Sequence, residues 1–224
     1  IPDQDIAGLV EFALKERIDL TIVGPEDPLS LGLVDAFQAA GLRIFGPNQA
    51  AAQLEGSKSF AKIIMEAAQV PTAKWQVFED PDLAKGFIQT IGAPCVLKAD
   101  GLAAGKGVIV AMDLETALQA VDEIMAGGFG SAGKKLLVEE FLEGQEVSLL
   151  CFADGKSALP MVPVQDHKRA LDGDLGLNTG GMGTYSPPPF WTSELETTVM
   201  RELVDPTLRV MAERGMPFVG VLFL

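Results

Sequence analysis

Lys98-Ala99-Asp100-Gly101-Leu102-Ala103-Ala104-Gly105-Lys106-Gly107-Val108-Ile109-Val110 is the stretch on which the reading of this chain turns. Apolar Val96-Leu97 enters it and Val108-Ile109-Val110 leaves it, so the pattern predicts strand, glycine loop, strand. Glycines at 101, 105 and 107 let a backbone approach an anion closely and present its N–H groups, and Lys98 and Lys106 supply charge. The segment reads as a phosphate cover, and a nucleotide is the guest that suits it. Two standard phosphate motifs fail on spacing. For a G-x-x-x-x-G-K-[ST] loop, Gly101 to Gly105 has the wrong gap, and Gly107 stands after Lys106 where Ser or Thr is required. A dinucleotide fingerprint needs a helix after its glycines, and here a strand follows. An ordinary glycine hairpin with two solvated lysines is the competing reading of these residues alone.

With 224 residues, 48% of them hydrophobic, the chain can bury a proper core in one large domain or two small ones. Lys and Arg number 17 against 31 Asp and Glu, a net charge of −14 that repels nucleic acid and anionic lipid at long range. No nucleic-acid or membrane partner is expected, and any bound phosphate has to be held locally. Cys95 and Cys151 stand in apolar segments without a C-x-x-C pair, which argues against a disulfide framework or zinc site and for small buried hydrophobes. Ile1-Pro2-Asp3-Gln4-Asp5 lacks the positive charge and apolar core of a signal peptide, and no window approaches the roughly 18 apolar residues of a membrane span. A cytoplasmic location is expected.

Along the chain, a helical stripe over 6–17 leads into the short strand Leu20-Thr21-Ile22-Val23, closed by Gly24-Pro25. A helix over about 31–40 and a strand Arg43-Ile44-Phe45 ending in Gly46-Pro47 repeat the pattern, as in an open doubly wound parallel sheet. Gly24-Pro25-Glu26 and Gly46-Pro47-Asn48 are then expected to face one crevice, unless each Gly-Pro is simply a turn that stops a strand. Ser57 suits the N-cap of a helix from Lys58 to about Gln69. Next come a strand over 74–78, a helix opened by Asp80-Pro81, a strand over 94–98, the glycine segment with its return strand, and a helix over about 114–125. The stretch 127–133 reads as a loop and 135–141 as a strand. Strands over 145–152 and 157–164 follow, joined by turns at Glu143-Gly144 and Asp154-Gly155. Residues 165–189 are long and low in regular pattern. A helix over about 194–214 and a strand over 218–224 close the chain. The fold class is α/β, with α+β character in the second part.

Three further constellations bear on chemistry. Glu139-Glu140-Phe141-Leu142 ends a strand, with Glu146 shortly after, and can offer backbone to an adenine edge and a carboxylate to ribose; a solvated edge strand is the alternative. Gln165-Asp166-His167-Lys168-Arg169 is the densest polar cluster and holds the single histidine. Lys168 and Arg169 offer a point charge and a forked donor to a phosphoryl group or carboxylate, and Asp166 can orient an amine; a solvated turn is the alternative. Asn178-Thr179-Gly180-Gly181-Met182-Gly183 gathers three permissive glycines in one segment, as an active-site loop or a flexible lid would.

Taken in order, E-G-S-K around Lys58, K-A-D-G-L-A-A-G-K-G-V-I-V (98–110), V-E-E-F-L-E-G-Q-E (138–146), Q-D-H-K-R (165–169) and N-T-G-G-M-G-T-Y-S-P (178–187) resemble the ATP-grasp ligases. Within them, the set is similar to the phosphoribosylamine-glycine ligases (glycinamide ribonucleotide synthetases) over nearly the whole chain. The resemblance implies a partial N-terminal doubly wound α/β domain over 1–54 and an ATP-grasp domain over 55–224, with a small flap subdomain at about 70–140. It implies that Lys58 and Lys98 contact ATP phosphates and that Gly101, Leu102, Ala103, Ala104, Gly105, Lys106, Gly107 and Val108 form the flap over them. Glu139, Glu140, Phe141 and Leu142 would be the hinge beside adenine, and Glu146 would take the ribose. Asp166, Lys168 and Arg169, with Asn178, Thr179, Gly180, Gly181, Met182 and Gly183, would line the acyl-phosphate and amine site. Pro25 and Glu26, after Gly24, would face phosphoribosylamine.

The reaction so implied joins glycine to 5-phosphoribosylamine with ATP and magnesium, through an acyl phosphate, in de novo purine biosynthesis. The family pattern also includes a glycine-rich phosphate loop on a first strand, and a later strand whose Glu and Asn hold magnesium. Neither is present, so the chain is expected to be the middle of a longer protein, cut before its metal ligands beyond Leu224, and inactive or nearly so by itself. Another ATP-grasp carboxylate-amine ligase and a non-catalytic nucleotide-binding module are the rival readings.

Overall fold

A computed structural model describes residues 1–101, 107–173, 175–179 and 181–224. The chain forms two compact units: one comprises 1–52, 68–70 and 144–224, the other 53–67 and 71–143.

The first unit begins with α1 (Ile6–Lys15), which Asp5 caps by accepting from Gly8 N–H at 3.0 Å. Strand β1 (Thr21–Ile22), helices α2 (Glu26–Ser30) and α3 (Leu33–Ala39) and strand β2 (Ile44–Phe45) follow, and β1 and β2 pair in parallel. Ala13 of α1 and Leu33 and Phe37 of α3 are buried together with Val23 and Ile44, which gives this small sheet its apolar cover. Gly46 and Pro47 are buried, and a Cβ on Gly220 would lie 2.7 Å from Pro47 Cδ. That Gly-Pro is a packing joint. Gly24 and Pro25 are exposed.

Helix α4 (Gln49–Gly56), unforeseen in the hydrophobic pattern, is capped by Asn48, whose Oδ1 accepts from Ala51 N–H at 2.8 Å. It leads into α5 (Lys58–Ala67), where Ser57 Oγ accepts from Phe60 N–H at 3.1 Å, the cap expected from sequence. The second unit then builds β3 (Trp75–Phe78), α6 (Pro81–Ile91), β4 (Cys95–Ala99), β5 (Val108–Ala111), α7 (Leu114–Glu123) and β6 (Leu136–Glu140). The strands form one antiparallel sheet in the order β3-β6-β4-β5. Cys95, Leu97 and Ala99 of β4 and Leu136 and Val138 of β6 pack with Ala84 and Ile88 of α6 and Ala117 and Val121 of α7. The strand period of two explains this: every second side chain meets the helices, and the residues between face the other way. Asp80 and Asp113 cap α6 and α7 by accepting from Leu83 and Thr116 N–H. The expected loop at 127–133 contains a 3₁₀ turn, Gly130–Lys134.

The chain then returns to the first unit. Strands β7 (Leu150–Asp154) and β8 (Ala158–Pro160) form a hairpin at Asp154-Gly155, where the Asp154 carboxylate accepts from the N–H groups of Lys156 and Ser157. Glu143-Gly144 closes no hairpin: β6 pairs with β3 and β4, whereas β7 lies in another sheet, and no strand starts at Gln145. The stretch of low pattern holds four short strands, β9 (Gln165–Asp166), β10 (Arg169–Leu171), β11 (Leu175–Asn178) and β12 (Thr184–Tyr185). Helices α8 (Ser193–Val199) and α9 (Asp205–Glu213) flank a π turn, Met200–Val204. Pro206 explains that turn, because it has no N–H for the helical ladder. The last strand, β13 (Val219–Phe223), pairs with β7. Cys95 and Cys151 are both buried free thiols.

Candidate active site

The second unit concentrates charge on the sheet face turned away from α6 and α7. Val96 pairs with Glu139 and Lys98 with Leu137, so Lys98 and Glu139 are diagonal neighbours on that face. Lys98 Nζ lies 2.6 Å from Glu139 Oε2. Lys62, a buried lysine of α5, places Nζ 2.8 Å from Glu139 Oε1 and donates a 2.6 Å hydrogen bond to Thr72 Oγ1. Its contact with Oε1 is charge against charge rather than an aligned hydrogen bond.

Lys58, one helical turn before Lys62, donates from Nζ to Gly101 O at 2.8 Å, at the root of the glycine segment. Burial pulls its pKa below the ordinary lysine value; Asp100 opposes that shift, Lys98 adds to it, and Glu139 opposes it. Asp100 clasps the start of α5, its Oδ1 accepting from Ser59 N–H at 3.0 Å and Ser57 Oγ at 3.1 Å, and its Oδ2 from Ser59 Oγ at 2.5 Å. Burial alone would raise this carboxyl, but the Ser59 hydroxyl and N–H, the Ser57 hydroxyl and the Lys58 N–H outweigh it and hold the pKa below the usual Asp value. A helix N-terminus is a favourable place for that negative charge. Gly107 O accepts from Ala99 N–H at 2.8 Å, extending the β4–β5 pairing by one residue.

In the first unit, the two polar motifs at 165–169 and 178–183 are the arms of one hairpin. Asp166 pairs with Thr184 and Gln165 with Tyr185 at its base, and Arg169 pairs with Asn178 nearer its tip. Between them His167 N–H donates to Gly183 O, Met182 N–H to His167 O, and Thr179 N–H to Lys168 O. The register slips between the Asp166–Thr184 pair and the Arg169–Asn178 pair. Gly181 has φ +120° there, and a Cβ on it would lie 2.9 Å from Asp166 Oδ1. That buried oxygen accepts no hydrogen bond among the described residues. Lys168 Nζ lies 3.2 Å from Glu146 Oε2, and the His167 and Tyr185 rings stack at 5.4 Å.

Lys58, Lys98, Gly101 and Glu139 therefore form one group, and Glu146, Asp166, Lys168, Thr179 and Gly181 another. Leu102, Ala103, Ala104, Gly105, Lys106 and Gly180 lie outside the described residues, and Arg169 and Asn178 are placed by their backbone in β10 and β11. Gly107 is buried, Val108 opens β5, Glu140 N–H donates to Lys74 O at 3.0 Å, Phe141 is half-buried, and Leu142 and Met182 are exposed. Exposed Pro25 and Glu26 start α2, with no hydrogen bond or ion pair to the hairpin among the described residues. Sequence reasoning missed Lys62, Thr72, Ser59 and the clasping role of Asp100. Only Lys62 had a visible signal, lying four residues after Lys58 on the same helical face. A 510 Å³ recess, lined mainly by Leu20, Ile22, Leu42, Ile44, Phe45 and Phe152, is apolar and contains no predicted site residue.

Two lysines beside a glycine-segment root on an antiparallel sheet, followed along the chain by a run of short strands, are the features of an ATP-grasp fold. Structural comparison agrees: the biotin carboxylase domain of Hydrogenobacter thermophilus 2-oxoglutarate carboxylase, solved with MgADP, ADP and bicarbonate, has a TM-score of 0.71 at 19% identity over 98% of this chain and 47% of that one. Residues 56–224 match the phosphoribosylglycinamide synthetase ATP-grasp (A) domain, and residues 1–55 match the N domain of the same synthetase. The chain belongs to the phosphoribosylglycinamide synthetase family. A phosphoribosylamine–glycine ligase of Brucella melitensis is 55% identical over 98% of this chain and 51% of its own length. The crystal structure of the Thermotoga maritima phosphoribosylamine–glycine ligase superposes with a TM-score of 0.81 at 31% identity, covering 96% of this chain and 53% of that one. The chain thus spans about half the length of the curated relatives it matches.

Proposed function

We propose that the protein carrying this chain is an ATP-dependent carboxylate-amine ligase of the cytoplasm, joining glycine to 5-phosphoribosylamine to give glycinamide ribonucleotide, ADP and phosphate in purine biosynthesis. The observation that carries it is the grouping of Lys58 and Lys98 at the root of the 101–107 segment, on a chain whose relatives bear that ligase name. In this reading Lys58 and Lys98 neutralise ATP phosphates, and the segment containing Leu102–Lys106 covers them. The 139–142 stretch and Glu146 serve adenine and ribose. Asp166, Lys168 and Arg169, with residues 178–183, hold the reacting carboxylate and amine, while Pro25 and Glu26 face phosphoribosylamine.

The carboxylate of glycine attacks the γ-phosphorus and ADP leaves, giving an acyl phosphate. The amine of phosphoribosylamine then displaces phosphate, losing a proton as the amide forms. Positioning and charge neutralisation supply most of such a rate enhancement, and a closed cover keeps water from the acyl phosphate. Asp166 Oδ1, buried and without a hydrogen-bond donor among the described residues, suits the ammonium or amine partner. Among the described residues no three His, Cys, Asp or Glu side chains gather to hold a metal ion.

The test is ADP release by the full-length protein with Mg-ATP, adding glycine and phosphoribosylamine singly and together. Release requiring both supports the proposal. Release with a different acid and amine pair would keep the ligase chemistry and remove the purine assignment; no release with any pair would leave a nucleotide-binding module.

A further inference from the structure

The Glu139 carboxylate is shared by two lysines of unequal freedom. Lys62 has a side chain 9% exposed and a second anchor in Thr72 Oγ1 at 2.6 Å. Lys98 has a side chain 29% exposed, and Glu139 is its one ion-pair partner among the described residues. Glu139 itself is 5% exposed. A carboxylate so enclosed and stripped of every partner costs on the order of several kcal/mol, so a lysine that neutralised it alone would not be free to leave. Here one cation suffices for neutrality and two are present.

We infer that Lys62 is a positioning residue, which holds Glu139 ionised and in place by itself and so releases Lys98 from Glu139 to the phosphates of a nucleotide. This rests on the reading of Lys98 as an ATP ligand. Lys62 is poorly suited to the ligand role, because it is enclosed between Glu139 and Thr72. Lys58 and Lys62 share a face of α5, so one helix supplies both a cation at the loop root and the brace that keeps a third lysine available. The brace acts through charge: remove it, and Glu139 claims Lys98 as its sole counter-ion.

The test is a double-mutant cycle in the full-length protein, with inorganic tripolyphosphate as probe because it carries phosphate charge without an adenine to touch Glu139. Binding is measured by calorimetry for wild type, Lys62→Met, Glu139→Gln and the double variant. Lys62→Met is expected to weaken tripolyphosphate about tenfold, equivalent to holding Lys98 back by about 1.4 kcal/mol. In the Glu139→Gln background the same change is expected to alter affinity by less than about twofold, since no buried carboxylate remains to claim Lys98. Wild-type affinity in Lys62→Met overturns the inference, and so does an equal loss in both backgrounds, which is what a purely structural brace would give. If Lys62→Met does not fold, the comparison of the double variant with Glu139→Gln still decides: equal affinities support the inference and a tenfold loss overturns it. A wild-type protein that binds neither tripolyphosphate nor ATP removes the ATP-site reading itself, and the inference with it.

Discussion

Asp100 shows how far a single residue can be read from sequence. It stands between Lys98 and Gly101 at the start of the glycine segment, yet its partners Ser57 and Ser59 are more than forty positions earlier, and nothing in local spacing announces them. Lys98 drew notice as a cation next to permissive glycines and Lys58 only through the family resemblance, whereas Lys62, which the fold buries, was not singled out. The clasp predicts the behaviour of Asp100→Asn. The folded carboxyl titrates lower than in the unfolded chain, so its stabilising contribution is complete above the unfolded Asp value of about 3.9 and is lost as pH falls through the folded value. With solvent screening of a partly exposed group allowed for, the substitution should cost about 1 kcal/mol at pH 7 in urea unfolding. The gap to wild type should shrink as the pH is lowered through the carboxylate range; a gap constant with pH would mean that the charge of Asp100 contributes nothing. Gly181→Ala tests the hairpin in the same way. Its Cβ would press on Asp166 Oδ1 from a backbone with φ +120°, so the substitution should cost about 1–3 kcal/mol of stability and, if the protein has the proposed ligase activity, lower kcat/KM about a hundredfold. An unchanged kcat/KM would take Asp166 out of the reaction.

At the level of elements, the single strands and helices of the second unit were legible from their apolar runs, helical stripes and the Asp80-Pro81 start of α6, while their pairing in the order β3-β6-β4-β5 and the Asp113 cap of α7 emerge only from the fold. The hairpin over 165–185 was not. Its strands are two to four residues long and held by backbone hydrogen bonds with a shifting register, so no hydrophobic period marks them. The long C-terminal helix was legible, but the π turn ahead of Pro206 was not, since periodicity says little about a missing N–H donor. Two substitutions separate these kinds of order. Leu97, fully buried on the central strand β4, packs against both helices' layer, and Leu97→Ala should cost about 3 kcal/mol by denaturant titration. Gly220→Ala should cost about 1–3 kcal/mol for the opposite reason, overpacking, because the new methyl meets Pro47 Cδ at 2.7 Å and Pro47 N at 3.1 Å, and a proline ring cannot turn aside. A neutral Gly220→Ala would show that β13 shifts at no cost.

For the molecule as a whole, charge sets the approach of any anionic ligand. The net charge of −14 opposes ATP at a distance, and in the proposed reading Lys58 and Lys98 attract it only at short range. The two fields are screened differently. Raising the ionic strength from about 0.01 M to 0.15 M shortens the Debye length from about 30 Å to about 8 Å, which removes the long-range repulsion before it reaches the lysines' few ångströms. The association rate of an ATP analogue with residues 1–224, followed by stopped-flow fluorescence, should therefore rise over that range, the reverse of a basic phosphate-binding surface. Above it the rate should level off and then decline, as screening begins to weaken the local attraction as well. A rate that falls steadily from the lowest salt would mean that the field at the mouth of the site is positive despite the overall charge. The acidic groups would then lie on faces that the nucleotide never meets.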